Sequence, residues 1–263
     1  MLTVYFSGTG NSKFIAERFS QIMTASCYSI EEDVDFKEKI TAAQTIAVCY
    51  PIYGSCVPKI MRDFVSKHRT AFAGKQLIIF CTQLMFSGDG ARVFTELLAG
   101  VAVDIRYAEH FNMPNNICNF FLFPLASPNK LQRYIKKADK KLSRACRNIS
   151  AGVVKKRGFN PLSRYLGLWL QRAHFDALEK KAARDVRISA ECILCGKCVR
   201  ICPMKNFEIS DQSMVLRNQC TLCYRCVNQC PQKAITVLVH AKVTKQYQGI
   251  NNKPSPIVME HNN

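Results

Sequence analysis

Over the first half of the chain, short runs of unbroken apolar residues alternate with stretches whose apolar positions recur every three or four residues. The strong runs are residues 2–6, 45–50 and 76–83; residues 104–113 form a fourth, and 27–30 a weaker fifth. Such runs predict strands buried on both faces, as in a parallel sheet. Phe14, Ile15, Arg18, Phe19 and Ile22 follow the first run at helical spacing, and helical patterns at about 58–68 and 89–99 follow two of the others. Strand–helix alternation predicts a doubly wound α/β sheet of five parallel strands with helices on both faces. In such sheets ligands sit beyond the C-terminal ends of the strands.

Residues 128–150 predict an amphipathic helix that closes this unit. Leu131, Ile135, Ala138, Leu142, Cys146 and Ile149 share its apolar face. A second helix is expected from Pro161, with Leu162, Leu166, Trp169, Leu170, Ala173 and Ala177 on one stripe. That stripe is expected to dock two domains together, the alternative being contact with a membrane surface. The domains read from the pattern are 1–152, a basic helical connector at 153–187, a small α+β unit at 188–240, and a flexible polar tail at 241–263 with prolines at 254 and 256.

Charge changes this picture in one region. The formal net charge is +18, and residues 130–187 hold 17 Lys/Arg against 4 Asp/Glu. A basic surface of this kind attracts acidic proteins, nucleic acid or anionic lipid, the alternative being a solvated helix face. The start, Met1-Leu2-Thr3-Val4-Tyr5-Phe6-Ser7, carries no basic leader or cleavage site, and no stretch approaches the length of a membrane span. A cytoplasmic protein is expected, its thiols reduced or bound to metal.

The chemistry is concentrated in cysteine. Eight of 14 cysteines lie within residues 192–230, as Cys192, Cys195, Cys198 and Cys202 before Pro203, then Cys220, Cys223, Cys226 and Cys230 before Pro231. The same irregular spacing occurs twice. A zinc site would use separated Cys-x2-Cys pairs around one ion; three closely spaced cysteines plus a fourth before proline suit a [4Fe–4S] cluster instead. This segment resembles the two-cluster bacterial-type ferredoxin. The resemblance assigns Cys192, Cys195, Cys198 and Cys230 to one cluster, and Cys220, Cys223, Cys226 and Cys202 to the other.

A second site is written after the first strand, in Ser7-Gly8-Thr9-Gly10-Asn11-Ser12. Small residues let this loop curl so that its amides face one point, and the following helix start adds partial positive charge, which suits a phosphate. The loop lacks the Gly-Lys-Ser/Thr ending of a P-loop and the glycine spacing of a dinucleotide fingerprint. It resembles the phosphate loop of flavodoxins. That resemblance implies FMN, with the loops Pro51, Ile52, Tyr53, Gly54 and Gln83, Met85, Phe86, Gly88 around its ring. Tyr53 and Phe86 are the candidates to stack, with Gln83 at the ring edge.

Taken in order, the parts resemble the EFR1-type family of flavodoxin–ferredoxin fusion proteins. The matches include Phe86-Ser87-Gly88-Asp89-Gly90 and Met113-Pro114-Asn115-Asn116. The expected function is an electron relay between FMN, two [4Fe–4S] clusters and acidic redox partner proteins, with no role in nucleic-acid binding. The alternatives are a flavin-dependent reductase fed by its own clusters and a ferredoxin with a flavin-free docking domain. No hydrolase triad and no catalytic residue is evident.

Overall fold

The structure is a computed structural model that describes residues 1–250 apart from Phe121 and Phe123. The expected α/β unit is present. Strands β1 (Leu2–Tyr5), β2 (Ser26–Ser29), β3 (Thr45–Pro51), β4 (Lys75–Gln83) and β5 (Val103–Asn112) are joined by helices α1 (Asn11–Met23), α2 (Phe36–Ala42), α3 (Lys59–His68) and α4 (Gly90–Glu96). They pair in parallel in the order β2-β1-β3-β4-β5. Alternate side chains of each strand feed opposite faces. Val4, Val48, Tyr50, Leu77 and Ile79 meet α2, α3 and α4 on one side. Tyr5, Cys49, Ile78, Phe80 and Phe111 meet α1 and the long helix α5 (Pro128–Ser150) on the other. Cys49 and Cys81 are fully buried strand residues, as small apolar groups.

Ser127 caps α5 by accepting from the Lys130 amide, with Pro128 in the first turn. Ile135, Ala138, Leu142 and Cys146 are buried from the expected face, while Lys130, Arg133, Lys136, Lys137 and Lys140 are exposed. Lys141 departs from that row. It is half-buried and pairs with Glu109 at 3.0 Å.

Three features differ from the sequence reading. A sixth strand, β6 (Lys155–Lys156), adds to the β5 edge, so the connector begins inside the first sheet. Glu109 holds it there: this buried carboxylate meets Lys155 at 2.7 Å and Arg157 at 3.5 Å besides Lys141. Burial pushes the Glu109 carboxyl up, but the Lys155 and Lys141 contacts override it and hold it below its ordinary value.

The second difference is the orientation of the next helix. α6 (Pro161–Gly167), a π turn (Leu168–Arg172) and α7 (Ala173–Ala183) run continuously. The stripe expected to dock the domains faces outward, with Leu162 66%, Trp169 61% and Leu170 66% exposed. The face turned inward carries Gly167, Gln171, Arg172, Phe175 and Ala182. Arg172 reaches the fully buried Asp89 at 2.8 Å, and Asp89 also binds Arg92 at 2.6 Å. Gly167 and Gly88 approach so closely that a Cβ on either would strike the other's loop or helix.

The third is the tail. Residues 241–250 pack instead of standing free. Val243 and Tyr247 are buried; Gln246 donates to the Val227 and Cys230 carbonyls, and the Tyr247 hydroxyl donates to Asn11. The prolines at 254 and 256 lie outside the described residues.

The small α+β unit contains β7 (Arg187–Ile188), α8 (Lys197–Ile201), β8 (Phe207–Ser210), β9 (Ser213–Leu216), α9 (Arg225–Gln229) and β10 (Ile235–Thr236). β7 pairs antiparallel with β10, and β8 with β9. No helix among the described residues is long and apolar enough to cross a membrane.

Candidate functional site at the domain junction

The cysteine segment is an internal repeat in geometry as well as in spacing. Each half has a left-handed leucine (Leu194 φ 52°, Leu222 φ 58°), then a left-handed residue that starts a short helix, then a Cys that ends it. The helix starts are Gly196 (φ 70°) and Tyr224 (φ 59°). After each helix a backbone amide donates to the terminal thiol: Asn206 to Cys202 Sγ and Ala234 to Cys230 Sγ, both at 3.3 Å. Amide donors of this kind are what cluster-bound sulfurs accept.

Cys192, Cys195, Cys198 and Cys230 line one recess of about 20 Å³, together with Ile188, Met214 and Ile235. This is the set that the ferredoxin resemblance assigns to a single cluster. The other four stand within electrostatic reach of each other. The Cys226 thiol is pushed well up, first by burial and then by Cys223, Cys220 and Cys202. Burial likewise pushes Cys223 up to about 12 and Cys220 up to about 11. Among the described residues no three His, Cys, Asp or Glu stand close enough together to hold a metal ion. A cubane takes four thiolates around a larger body.

Above the C-terminal ends of β1, β3 and β4 lies a cavity of about 490 Å³, a size that suits a small organic cofactor. Of the residues expected at a flavin, Ser7, Gly8, Thr9, Asn11, Ser12, Pro51, Ile52, Tyr53, Gly54, Gln83, Met85 and Phe86 line it. Gly10 and Gly88 do not. Gly10 adopts φ 103° and faces residues 249–250, while Gly88 serves the contact with Gly167.

Several loop side chains hold structure instead of pointing free hydroxyls at a ligand. Ser7 Oγ accepts from the Gly10 amide, Ser12 Oγ bonds Thr82 Oγ1 at 2.7 Å, and Thr9 Oγ1 accepts from Asn116. The amides of Thr9, Asn11 and Ser12 find no acceptor among the described residues. These are donors that the start of a helix leaves open. Tyr53 supplies another open group: its hydroxyl is buried without a partner among the described residues. Tyr53 lines the cavity, and burial first, then Cys223, raises its pKa well above the ordinary value. Phe86 and Met85 sit at the rim, 48% and 63% exposed.

Gln83 is oriented from behind. His110 Nε2 accepts from the Ala91 amide, so Nδ1 carries the proton toward Ser87 Oγ at 3.2 Å. Ser87 in turn donates to Gln83 Oε1, and Gln83 Nε2 donates to the Met85 carbonyl at 3.0 Å. Burial, with Arg157 second, lowers the His110 pKa from 6.5 to about 4. Because the unfolded histidine binds its proton first, stability should fall as pH drops from about 6.5 towards 4, by about 3 kcal/mol in all. Thermal melts from pH 7.5 to 4.5 should show this loss in the parent and a flatter profile in His110→Gln; parallel profiles would remove His110 as the cause.

The cavity's outer wall is not marked by any sequence pattern. Gln171, His174, Phe175 and Leu178 come from α7 and the turn before it, and Leu222, Tyr224 and Leu238 from the cysteine-rich unit. Leu222 and Tyr224 flank Cys223, whose carbonyl lies against Gly8 so tightly that no Cβ fits there. Arg225 locks the contact. It donates to the Ser7 and Gly8 carbonyls at 2.8 and 3.1 Å, to Ile201 O at 2.9 Å, and pairs with Glu31 at 2.7 Å.

The fold and these sites define a flavodoxin-like domain fused to a [4Fe–4S] ferredoxin domain. Residues 2–120 match the family model of a flavodoxin domain, and residues 191–235 match that of a 4Fe-4S dicluster domain. The combination is consistent with an electron carrier rather than a dedicated oxidoreductase. No curated protein matches the chain. Among solved structures, the Trp repressor binding protein from Bacillus subtilis is 14% identical with a TM-score of 0.41, over 55% of this chain and 97% of its own. The two-electron reduced Megasphaera elsdenii flavodoxin is 18% identical with a TM-score of 0.38, over 53% and 99%. A flavodoxin from Archaea is 18% identical with a TM-score of 0.36, over 55% and 96%.

Proposed function

We propose that this chain relays electrons between FMN, held in the junction cavity, two [4Fe–4S] clusters, held by the eight motif cysteines, and acidic redox partner proteins. The observation that carries the reading is the shared wall: Leu222 and Tyr224, on either side of Cys223, line the same cavity as the 7–12 loop. When bound, flavin supplies exchange of one or two electrons and each cluster supplies exchange of one.

The chain's own contribution is holding and shielding. The open amides of Thr9, Asn11 and Ser12 suit one terminal phosphate, which favours FMN over a dinucleotide. Tyr53 offers its unpartnered hydroxyl to a polar atom of the ligand. Phe175, Leu222, Tyr224 and Leu238 exclude water from the side nearest the cysteines. Cys192, Cys195, Cys198 and Cys230 would hold one cluster, and Cys202, Cys220, Cys223 and Cys226 the other. The exposed row Lys130, Arg133, Lys136, Lys137 and Lys140 is the surface that fits acidic partners. The order of parts fits the EFR1-type fusion family, and a cytoplasmic setting keeps the thiols reduced.

Anaerobic purification followed by quantification tests this reading. About eight irons, about eight sulfides and about one FMN per chain are expected. Stoichiometric zinc without sulfide would refute the cluster assignment. Failure to retain FMN after reconstitution would refute the flavin assignment and favour a docking scaffold.

A further inference from the structure

We propose that the outward face of the 161–183 helical segment is a docking surface for an anionic lipid bilayer. Leu162, Tyr165, Trp169 and Leu170 fall at helical spacing on that face, each between 60% and 66% exposed. The Tyr165 and Trp169 rings lie side by side, centroids 6.4 Å apart. The segment cannot roll to bury them, because its other face is fixed by Arg172 on Asp89, Gln171 on the Phe86 carbonyl, and Gly167 on Gly88.

Charge names the occupant. Residues 153–187 carry nine Lys/Arg against three Asp/Glu. Exposed Lys156 and Arg164 stand near one end of the segment and Lys180 and Lys181 near the other, and Glu179 is already taken by Arg62 at 2.6 Å. A row of leucines with adjacent tyrosine and tryptophan, bounded by cations, is the composition of a helix that lies in the plane of a membrane interface. An acidic protein would answer the cations but not Leu162, Tyr165, Trp169 and Leu170, each 60% or more exposed, which an anionic bilayer interface would bury along with them. The inference does not depend on what fills the cavity.

Trp169 is the protein's one tryptophan, so its emission reports this face alone. The full-length, cofactor-loaded protein is mixed with phosphatidylcholine vesicles, with or without about one-third phosphatidylglycerol. Sedimentation and a blue shift of Trp169 emission are expected only with the anionic vesicles, and both should weaken at about 0.5 M salt. In Leu162→Ser/Leu170→Ser, which alters only exposed side chains and keeps Trp169 as reporter, partitioning should fall by about tenfold or more. Retained flavin, iron and circular dichroism would show that this variant is folded. The proposal is overturned if anionic vesicles leave the emission unmoved, or if the double variant binds as well as the parent. It is equally overturned if the parent is a dimer that the variant abolishes, which would give the face to a second copy, or if a small acidic ferredoxin shifts the emission where vesicles do not.

Discussion

Gly8→Val is expected to strip flavin from the protein while leaving the central sheet folded. Gly8 lies on the cavity wall with the Cys223 carbonyl directly against it. A flexible side chain could swing aside, but the obstacle is a backbone carbonyl, which moves only if the chain before α9 moves with it. Overpacking of this kind costs about 3 kcal/mol when the neighbours cannot yield, so FMN affinity should drop on the order of a hundredfold. The strain falls on the 7–12 loop and on the segment around Cys223, leaving α2, α3 and the strands beneath untouched. Flavin titration beside far-UV circular dichroism checks it. A variant that bound FMN as the parent does would mean that the junction cavity is not the flavin site.

The second large effect is an asymmetry between two cysteines that the spacing treats as equivalent. Cys195→Ser and Cys223→Ser should each remove about half of the iron, because each breaks one set of four ligands. Only Cys223→Ser should also weaken FMN, by about tenfold, since Cys223 is buried between two residues of the cavity wall while Cys195 is exposed. For the same reason, reduction of bound flavin by a one-electron donor should slow in Cys223→Ser more than in Cys195→Ser. Iron, flavin affinity and the bleaching rate measured on the same preparations decide it. Equal flavin loss in both variants, or in neither, would separate the cavity from the second cysteine set.

What was legible in the sequence was local. Parallel strands buried on both faces write themselves as unbroken apolar runs, so β1, β3, β4 and β5 were found within a residue or two of their observed ends. The cysteines and the 7–12 loop were legible because their chemistry needs ligands a few residues apart. α2 escaped notice: a helix of seven residues with only Phe36 and Ile40 buried contains too few repeats to show a period. β6 is two lysines, polar by sequence and held by one carboxylate 46 residues away. The outer wall of the cavity was invisible because Phe175, Leu222 and Leu238 are ordinary apolar residues until the chain folds them over residues 7–12. The 161–183 helix misled for a different reason. Periodicity predicts that its most apolar stripe is the buried one, whereas docking uses a glycine, an arginine and a glutamine whose partners lie 79 to 85 residues away.

On the proposed assignment of the two sites, Arg225 would tie the loading of one cofactor to the loading of the other. Its guanidinium grips two carbonyls of the flavin loop, the end of α8 and Glu31, from the residue after Tyr224. Whatever factor an assembled cluster contributes to holding flavin through this grip, flavin must return to the cluster in equal measure, since coupling between two bound ligands is reciprocal. Iron shortage and flavin shortage would therefore leave the same trace in a population of these molecules. Half-loaded chains would be scarcer than independent sites allow, and the protein would be found mostly complete or mostly empty.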